Sequence, residues 1–180
     1  MSHSFTVTSN GGLLRQLVTT CHVCEAFDPS AGQPEPPLHP FQALWDTGAT
    51  GSVITQAVVD KCGLKPTGMT EVHGVHGPKI VPTFLVNIGL PNGVGVIAIS
   101  ATLAELKGCD VLIGMDVINH GDLAITNKNV NTVFTFRMPS KTCIDFVKEH
   151  AFFEAGKKQR SSDGFRGHPH QNRRKKNKRS

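Results

Sequence analysis

An all-β fold is predicted for this chain, and three observations point to it. The 180 residues include 18 Gly and 11 Pro, set among abundant Val, Ile and Thr, which suit short pleated strands and the turns between them. Apolar runs are short, and several stop at turn signals such as Asn10-Gly11-Gly12 and Pro91-Asn92-Gly93. Hydrophobic residues make up 38% and charged residues 18%, enough apolar material for one core and one domain with an added tail.

Phe5 to Thr8 reads as a first strand, and Leu13 to Phe27 as one or two more. Asp28 to Pro40 carries Pro34, Pro36, Pro37 and Pro40 and is expected to be a surface loop, because proline cannot donate to a sheet ladder. Phe41 to Trp45 leaves that loop as an apolar strand. Ser52 to Cys62, with Val53, Ile54, Ala57 and Val58 as its apolar residues and Gly63 as its stop, is expected to be a short helix. Thr70 to Pro82 reads as a hairpin whose arms flank a Gly-rich tip.

Further strands are expected at Thr83 to Leu90, at Val94 to Ser100 and in the buried run Cys109 to Gly114, after which Met115 to Asn119 starts a short helix. Leu123 to Thr126 and Thr132 to Phe136 form a closing hairpin. Beyond Pro139 the pattern changes: Cys143 to Phe153 predicts one helix, with Ile144, Phe146, Val147 and Phe152 or Phe153 on its apolar side. From Gly156 onward little can be buried, and disorder is expected. The chain thus divides into a domain over 1–140, a helical extension over 141–155 and a basic tail over 156–180.

The chemistry concentrates at Ala43-Leu44-Trp45-Asp46-Thr47-Gly48-Ala49-Thr50, where an apolar strand runs into one carboxylate on a tight Thr-Gly turn. A strand-end Asp with an apolar side and backbone donors beside it suits acid–base work. The grammar of strand, Gly and helix recurs at Val111-Leu112-Ile113-Gly114-Met115-Asp116, 68 residues downstream when Asp46 is compared with Gly114. The Gly-rich hairpin lies between the two. Asp116 reads as a helix-start residue.

In these motifs the chain resembles the retropepsins, the single-domain aspartic proteases of retroviral type, over about Phe5 to Pro139. The resemblance implies a closed acid-protease barrel with one short helix per subunit, here followed by a C-terminal helix and a basic tail. It also implies a homodimer acting on a peptide or protein substrate. Asp-Thr-Gly occurs once, so a reaction that needs two carboxylates must take the second from another copy. Asp46 is the implied catalytic residue. Of two facing Asp46 side chains, one stays ionised and activates water while its protonated twin polarises the scissile carbonyl.

The same likeness assigns supporting roles. Thr47 braces the two turns against each other, Gly48 admits close backbone approach, and Ala49 lines the substrate cleft. Ile113 and Gly114 pack beneath the catalytic loop, and Gly74, Val75, His76 and Gly77 form the tip of a flap that closes over substrate. His73 and His76 depart from an apolar tip and read as exposed loop histidines. No cofactor and no metal are implied. A rival reading is a catalytically silent dimerisation and interaction module of the same fold, with a basic tail that binds nucleic acid.

The net charge of +5 belongs to the end of the chain. Residues 157–180 hold ten Lys or Arg against one acid, whereas the preceding 156 residues hold nine basic and thirteen acidic ones. Such a tail could bind nucleic acid weakly, or serve as a solvated extension. Five cysteines make an odd count, which implies no disulfide framework. Cys21-His22-Val23-Cys24 has the spacing of half a zinc site without a second half. No apolar run approaches the roughly 20 residues of a membrane span, and the N-terminus lacks a signal-peptide pattern, so a cytoplasmic setting is expected.

Overall fold

The computed structural model of the chain describes residues 2–32, 34–74 and 77–163, with 155–163 as backbone alone. The chain divides into two compact units, Met1–Lys141 and Thr142–Ser180. The first holds β1 (His3–Thr8), β2 (Val18–Glu25), β3 (His39–Trp45), β4 (Val53–Ile54), α1 (Gln56–Cys62), β5 (Gly68–Gly74) and β6 (Gly77–Leu90). It continues with β7 (Val94–Leu103), β8 (Val111–Ile113), α2 (Met115–Ile118), β9 (Asp122–Thr126) and β10 (Val133–Met138). The second unit contributes α3 (Phe146–Asp163).

Six strands close into a barrel in the order β2, β3, β8, β4, β7, β6, with β6 returning to β2 and β5 appended to β6. Closure rests on the length of β6. Its 14 residues pair with β5 at one end and with both β2 and β7 at the other. Phe84, Val86, Ile88 and Leu90 alternate along it and are buried, which is the period of a strand with one face in a core. A bulge falls between Val86 and Ile88. There the buried Asn87 amide donates to Phe27 O at 2.8 Å and its carbonyl accepts from Ala98 N–H at 2.9 Å, so the irregular backbone stays satisfied.

A second sheet has the order β1, β10, β9, all antiparallel. Its inner face meets the barrel through aromatic rings. Trp45 stands 5.2 Å from Phe134 and 5.1 Å from Phe136 between centroids, and Phe5 is 5.7 Å from Phe134. These rings are buried and form one core with the barrel interior.

Several expected boundaries move, each for a physical reason. The strand expected at Phe41 begins at His39 and takes in Pro40 from the supposed loop. Pro40 costs nothing there, because β3 meets its parallel neighbour β8 only from Ala43 onward. The helix expected over Ser52 to Cys62 is shorter: Val53 and Ile54 are a strand, wedged between β7 and β8, and α1 starts at Gln56. Gly63 ends it in the left-handed conformation at φ 63°, as the sequence led one to expect. The flap arm and the strand at Thr83 to Leu90 are one continuous β6, and its Pro78 and Pro82 lie where only β5 is alongside. Among the described residues the barrel unit carries two short α-helices, α1 and α2, where the resemblance implied one short helix.

Taken by itself, α3 begins at Phe146, with Asp145 accepting from the Val147 and Lys148 N–H groups at 3.1 Å each, and runs to Asp163, past residue 155. Phe146, Val147, Phe152 and Phe153 are exposed on it. The basic residues from Arg166 onward, and Val75 and His76 of the hairpin tip, lie outside the described residues. Among the described residues no helix is long and apolar enough to cross a membrane.

Candidate active site

Asp46 sits where β3 leaves the sheet. Its N–H donates to Ile113 O of β8 at 3.0 Å, which carries the sheet's hydrogen bonding one residue past the strand. Its side chain turns back on the loop: Oδ1 accepts from Gly48 N–H at 2.8 Å, and the Asp46 carbonyl accepts from Ala49 N–H at 3.3 Å. The carboxylate is thereby oriented by a local turn that an Asp can form and that Thr47-Gly48 leaves uncrowded. A Cβ on Gly48 would lie 3.2 Å from Asp46 Oδ1, tight enough to push the carboxylate aside. Asp46 is half-buried, whereas Thr47 and Gly48 are exposed.

Trp45 anchors the strand from below. Its indole N–H donates to Thr19 Oγ1 at 3.0 Å, its backbone N–H donates to Leu17 O at 2.9 Å, and its ring rests on the aromatic cluster. Rigid support directly behind a functional side chain limits the directions in which that side chain can drift.

The loop after Asp46 is tied to the segment after β8. Met115 N–H donates to Ala49 O at 2.9 Å and Asp116 N–H to Thr50 O at 3.2 Å. The Asp116 carboxylate accepts from Ser52 N–H at 2.9 Å and from the Ser52 hydroxyl at 2.8 Å, while Ser52 Oγ accepts from Gly114 N–H at 3.1 Å. Asp116 also accepts from Val117 N–H at 3.0 Å at the start of α2, so it opens the helix and secures the loop together. Gly114 stands so close to this loop that a Cβ there would fall 2.5 Å from Gly51 C and O, a distance no side chain tolerates.

The residues singled out from sequence therefore fall into two sets. Asp46, Gly48, Ala49, Ile113 and Gly114 converge on one end of the barrel through these bonds, with Thr47 inside the same turn. Gly74 and Gly77 close the β5–β6 hairpin as facing residues, with the tip between them outside the described residues. Sequence reasoning missed Ser52. It is fully buried yet reads as one more small residue in a small polar run, and only its partners Asp116 and Gly114, more than 60 positions away, give it meaning.

A cleft of about 1440 Å³ opens beside the turn. Gly48 to Gly51 and the start of α1 form one wall, the β5–β6 hairpin another, and the segment Thr102 to Lys107 the third. It begins two residues beyond Asp46, and its volume exceeds the roughly 300–1,000 Å³ of an ordinary small-molecule pocket.

The cysteines lie elsewhere. Cys21 and Cys24 are both buried in β2, and the Cys62 thiol donates to Val23 O at 3.4 Å. Burial, with the nearby Asp110 charge adding to it, pushes the Cys21 thiol up to about 12. Burial, with Cys24 nearby, takes Cys62 to about 11. Burial likewise raises the Cys24 thiol, so all three are held above the usual cysteine value, which disfavours nucleophilic attack at neutral pH. Among the described residues no three His, Cys, Asp or Glu side chains converge as a metal site.

Residues 38–120 match the family described as "gag-polyprotein putative aspartyl protease". Among curated proteins, none matches the chain. Among solved structures, a retropepsin-like aspartic protease from Rickettsia conorii is similar at 11% identity, covering 77% of this chain and 96% of its own, with a TM-score of 0.46. The EIAV protease, solved with the inhibitor HBY-793, is similar at 22% identity over 62% of this chain and 91% of its own, with a TM-score of 0.44. The Simian foamy virus (mac) protease is similar at 19% identity over 44% of this chain and 80% of its own, with a TM-score of 0.35.

Proposed function

We propose that this chain, whose residues 38–120 match the family described as "gag-polyprotein putative aspartyl protease", is a retropepsin-like aspartic endopeptidase that hydrolyses peptide bonds as a homodimer. Each subunit contributes one Asp46. With the two carboxyl groups side by side, one stays ionised and removes a proton from a water molecule held between them. The resulting hydroxide attacks the scissile carbonyl, whose oxygen takes a hydrogen bond from the protonated twin. Collapse of the tetrahedral species breaks the C–N bond, and the proton passes to the leaving nitrogen, which restores the shared-proton pair.

The observation that carries this reading is the Asp46 turn itself: a carboxylate held by Gly48 N–H at 2.8 Å, beside exposed Thr47 and Gly48, where a second turn can approach. Thr47 braces that approach, and Ala49 sits on the wall of the cleft. Ile113 and Gly114 hold the loop from beneath through the bonds to Asp46 and Ser52. The β5–β6 hairpin serves as the flap, shutting water out once substrate is in place.

Asp46→Asn tests the reading, since it keeps the turn's acceptor but removes the acid–base group. Turnover of a peptide library should drop by about 10³-fold or more, while the circular dichroism spectrum and the dimer are retained. Mixing this variant in equal amount with wild type, after subunit exchange, should lower the wild-type rate to about half, because mixed dimers hold one working carboxylate. An undiminished rate in the mixture would mean that each chain works alone, and the shared-site mechanism would be wrong.

A further inference from the structure

The cleft carries charges that the hydrolytic step does not use. β6 and β7 remain paired as far as Thr83 and Thr102, then part. Beyond that point β6 runs on with β5 as the hairpin, whereas the other strand bends toward β4, where Ala104 N–H donates to Ile54 O at 3.1 Å. The parting of the two strands is what opens the wedge-shaped cleft.

On the hairpin, Val72 faces Lys79 and Thr70 faces Val81 across the ladder, and directly opposed residues share a face of a sheet. Val81 is buried and all four border the cleft, so this is the inner face. Lys79 is its charged member. From the opposing wall, the segment after β7 presents Glu105 and Lys107. Glu71 and His73 also reach the cleft, but they are already bonded to each other at 3.3 Å. Among the described residues, neither Lys79 nor Lys107 nor Glu105 has an ion-pair partner. Lys79 on the hairpin thus stands on one wall and Lys107, with Glu105, on another, and of the two lysines and two glutamates in the lining only Glu71 has an ion-pair partner among the described residues. The first 156 residues carry more acidic than basic groups, thirteen against nine, so these two lysines belong to the minority charge of that part of the chain.

We propose that Lys79 and Lys107 select polypeptide substrates bearing an Asp or Glu side chain within a few residues of the scissile bond. The inference rests on the peptidase reading for its reaction and on the two walls of the cleft for its selectivity. An extended peptide lying along the hairpin projects alternate side chains toward its two neighbours. A carboxylate directed into the wedge meets an ammonium from the hairpin or from the opposite segment, and Glu105 repels it only from one side. Both lysines are exposed, so each contributes on the scale of a solvated ion pair.

The test compares matched peptides, Asp or Glu against Asn or Gln at each position around cleavage sites found by digesting a proteome-derived peptide library with the full chain. The wild type should prefer the acidic member of a pair in kcat/KM by about tenfold. Lys79→Gln or Lys107→Gln should each reduce that preference by about threefold, and the double substitution should abolish it. Raising the ionic strength should shrink the preference in the wild type. Glu105→Gln should enlarge it. Cleavage with no acidic preference, or a preference untouched by the double substitution, overturns the inference and leaves the peptidase intact.

Binding of the same fluorescent peptide pairs to the Asp46→Asn protein separates the two readings. Acid-selective binding that depends on both lysines supports the inference even where wild-type cleavage fails. Equal binding of acidic and amide peptides overturns it.

Discussion

Ser52 illustrates what one side chain does in this site. Its hydroxyl and its backbone N–H both donate to Asp116, and its oxygen accepts from Gly114, so three segments meet at a residue with no solvent exposure. Ser52→Ala leaves the Gly114 N–H and one Asp116 oxygen without that partner in a buried setting. A loss of about 1–3 kcal/mol in urea denaturation is expected, together with reduced turnover, since the loop that orients Asp46 is the one released. An unchanged midpoint would show that the bond is dispensable. Asp46 was legible in the sequence because Asp-Thr-Gly after an apolar strand is a local pattern. Ser52 was not, because its meaning comes from residues 62 and 64 positions away.

Among the elements, β3 and β10 matter most for placing the carboxylate. β3 lies between β2 and β8, and Trp45 at its end rests on the Phe134 and Phe136 rings of β10. Phe134→Ala empties the space beneath Trp45 and should cost about 3–5 kcal/mol, read as a shift in the denaturation midpoint. A cost under about 1 kcal/mol would mean that the second sheet does not support β3. Strand locations were largely readable from short apolar runs, but their extents were not. Pro40, Pro78 and Pro82 all sit inside strands, each at a point where the neighbour that would need its N–H is absent. The Val53-Ile54 pair looked helical because two apolar residues beside a true helix extend its pattern, and only pairing with β7 and β8 makes them a strand.

For the molecule as a whole, Asp122 ties the second sheet to the end of the first unit. The Ser140 hydroxyl at 2.5 Å, the Lys141 N–H at 2.8 Å and the Arg137 guanidinium converge on it and hold its carboxyl well below the usual carboxylate range. A folded value below the unfolded one of about 3.9 contributes stability that is fully present above that value and disappears as pH falls through the folded one. The denaturation midpoint should thus lose this contribution only under acid conditions. Asp122→Asn should be less stable than wild type at neutral pH and should narrow the gap on acidification. A gap that stays constant down to about pH 2 would exclude the linkage.

The type of fold and the acid at the end of β3 could both be read from the order of residues, because each depends on short-range pattern; the proposal of a second copy rests on Asp-Thr-Gly occurring once. Barrel closure could not be read that way. It arises when β6 reaches both β2 and β7, and no local signal announces which strands of similar apolar character will meet. The same holds for the cleft and its lysines. Lys79 and Lys107 are unremarkable in the linear chain and become a pair of facing walls only once β6 and β7 separate beyond Thr83 and Thr102.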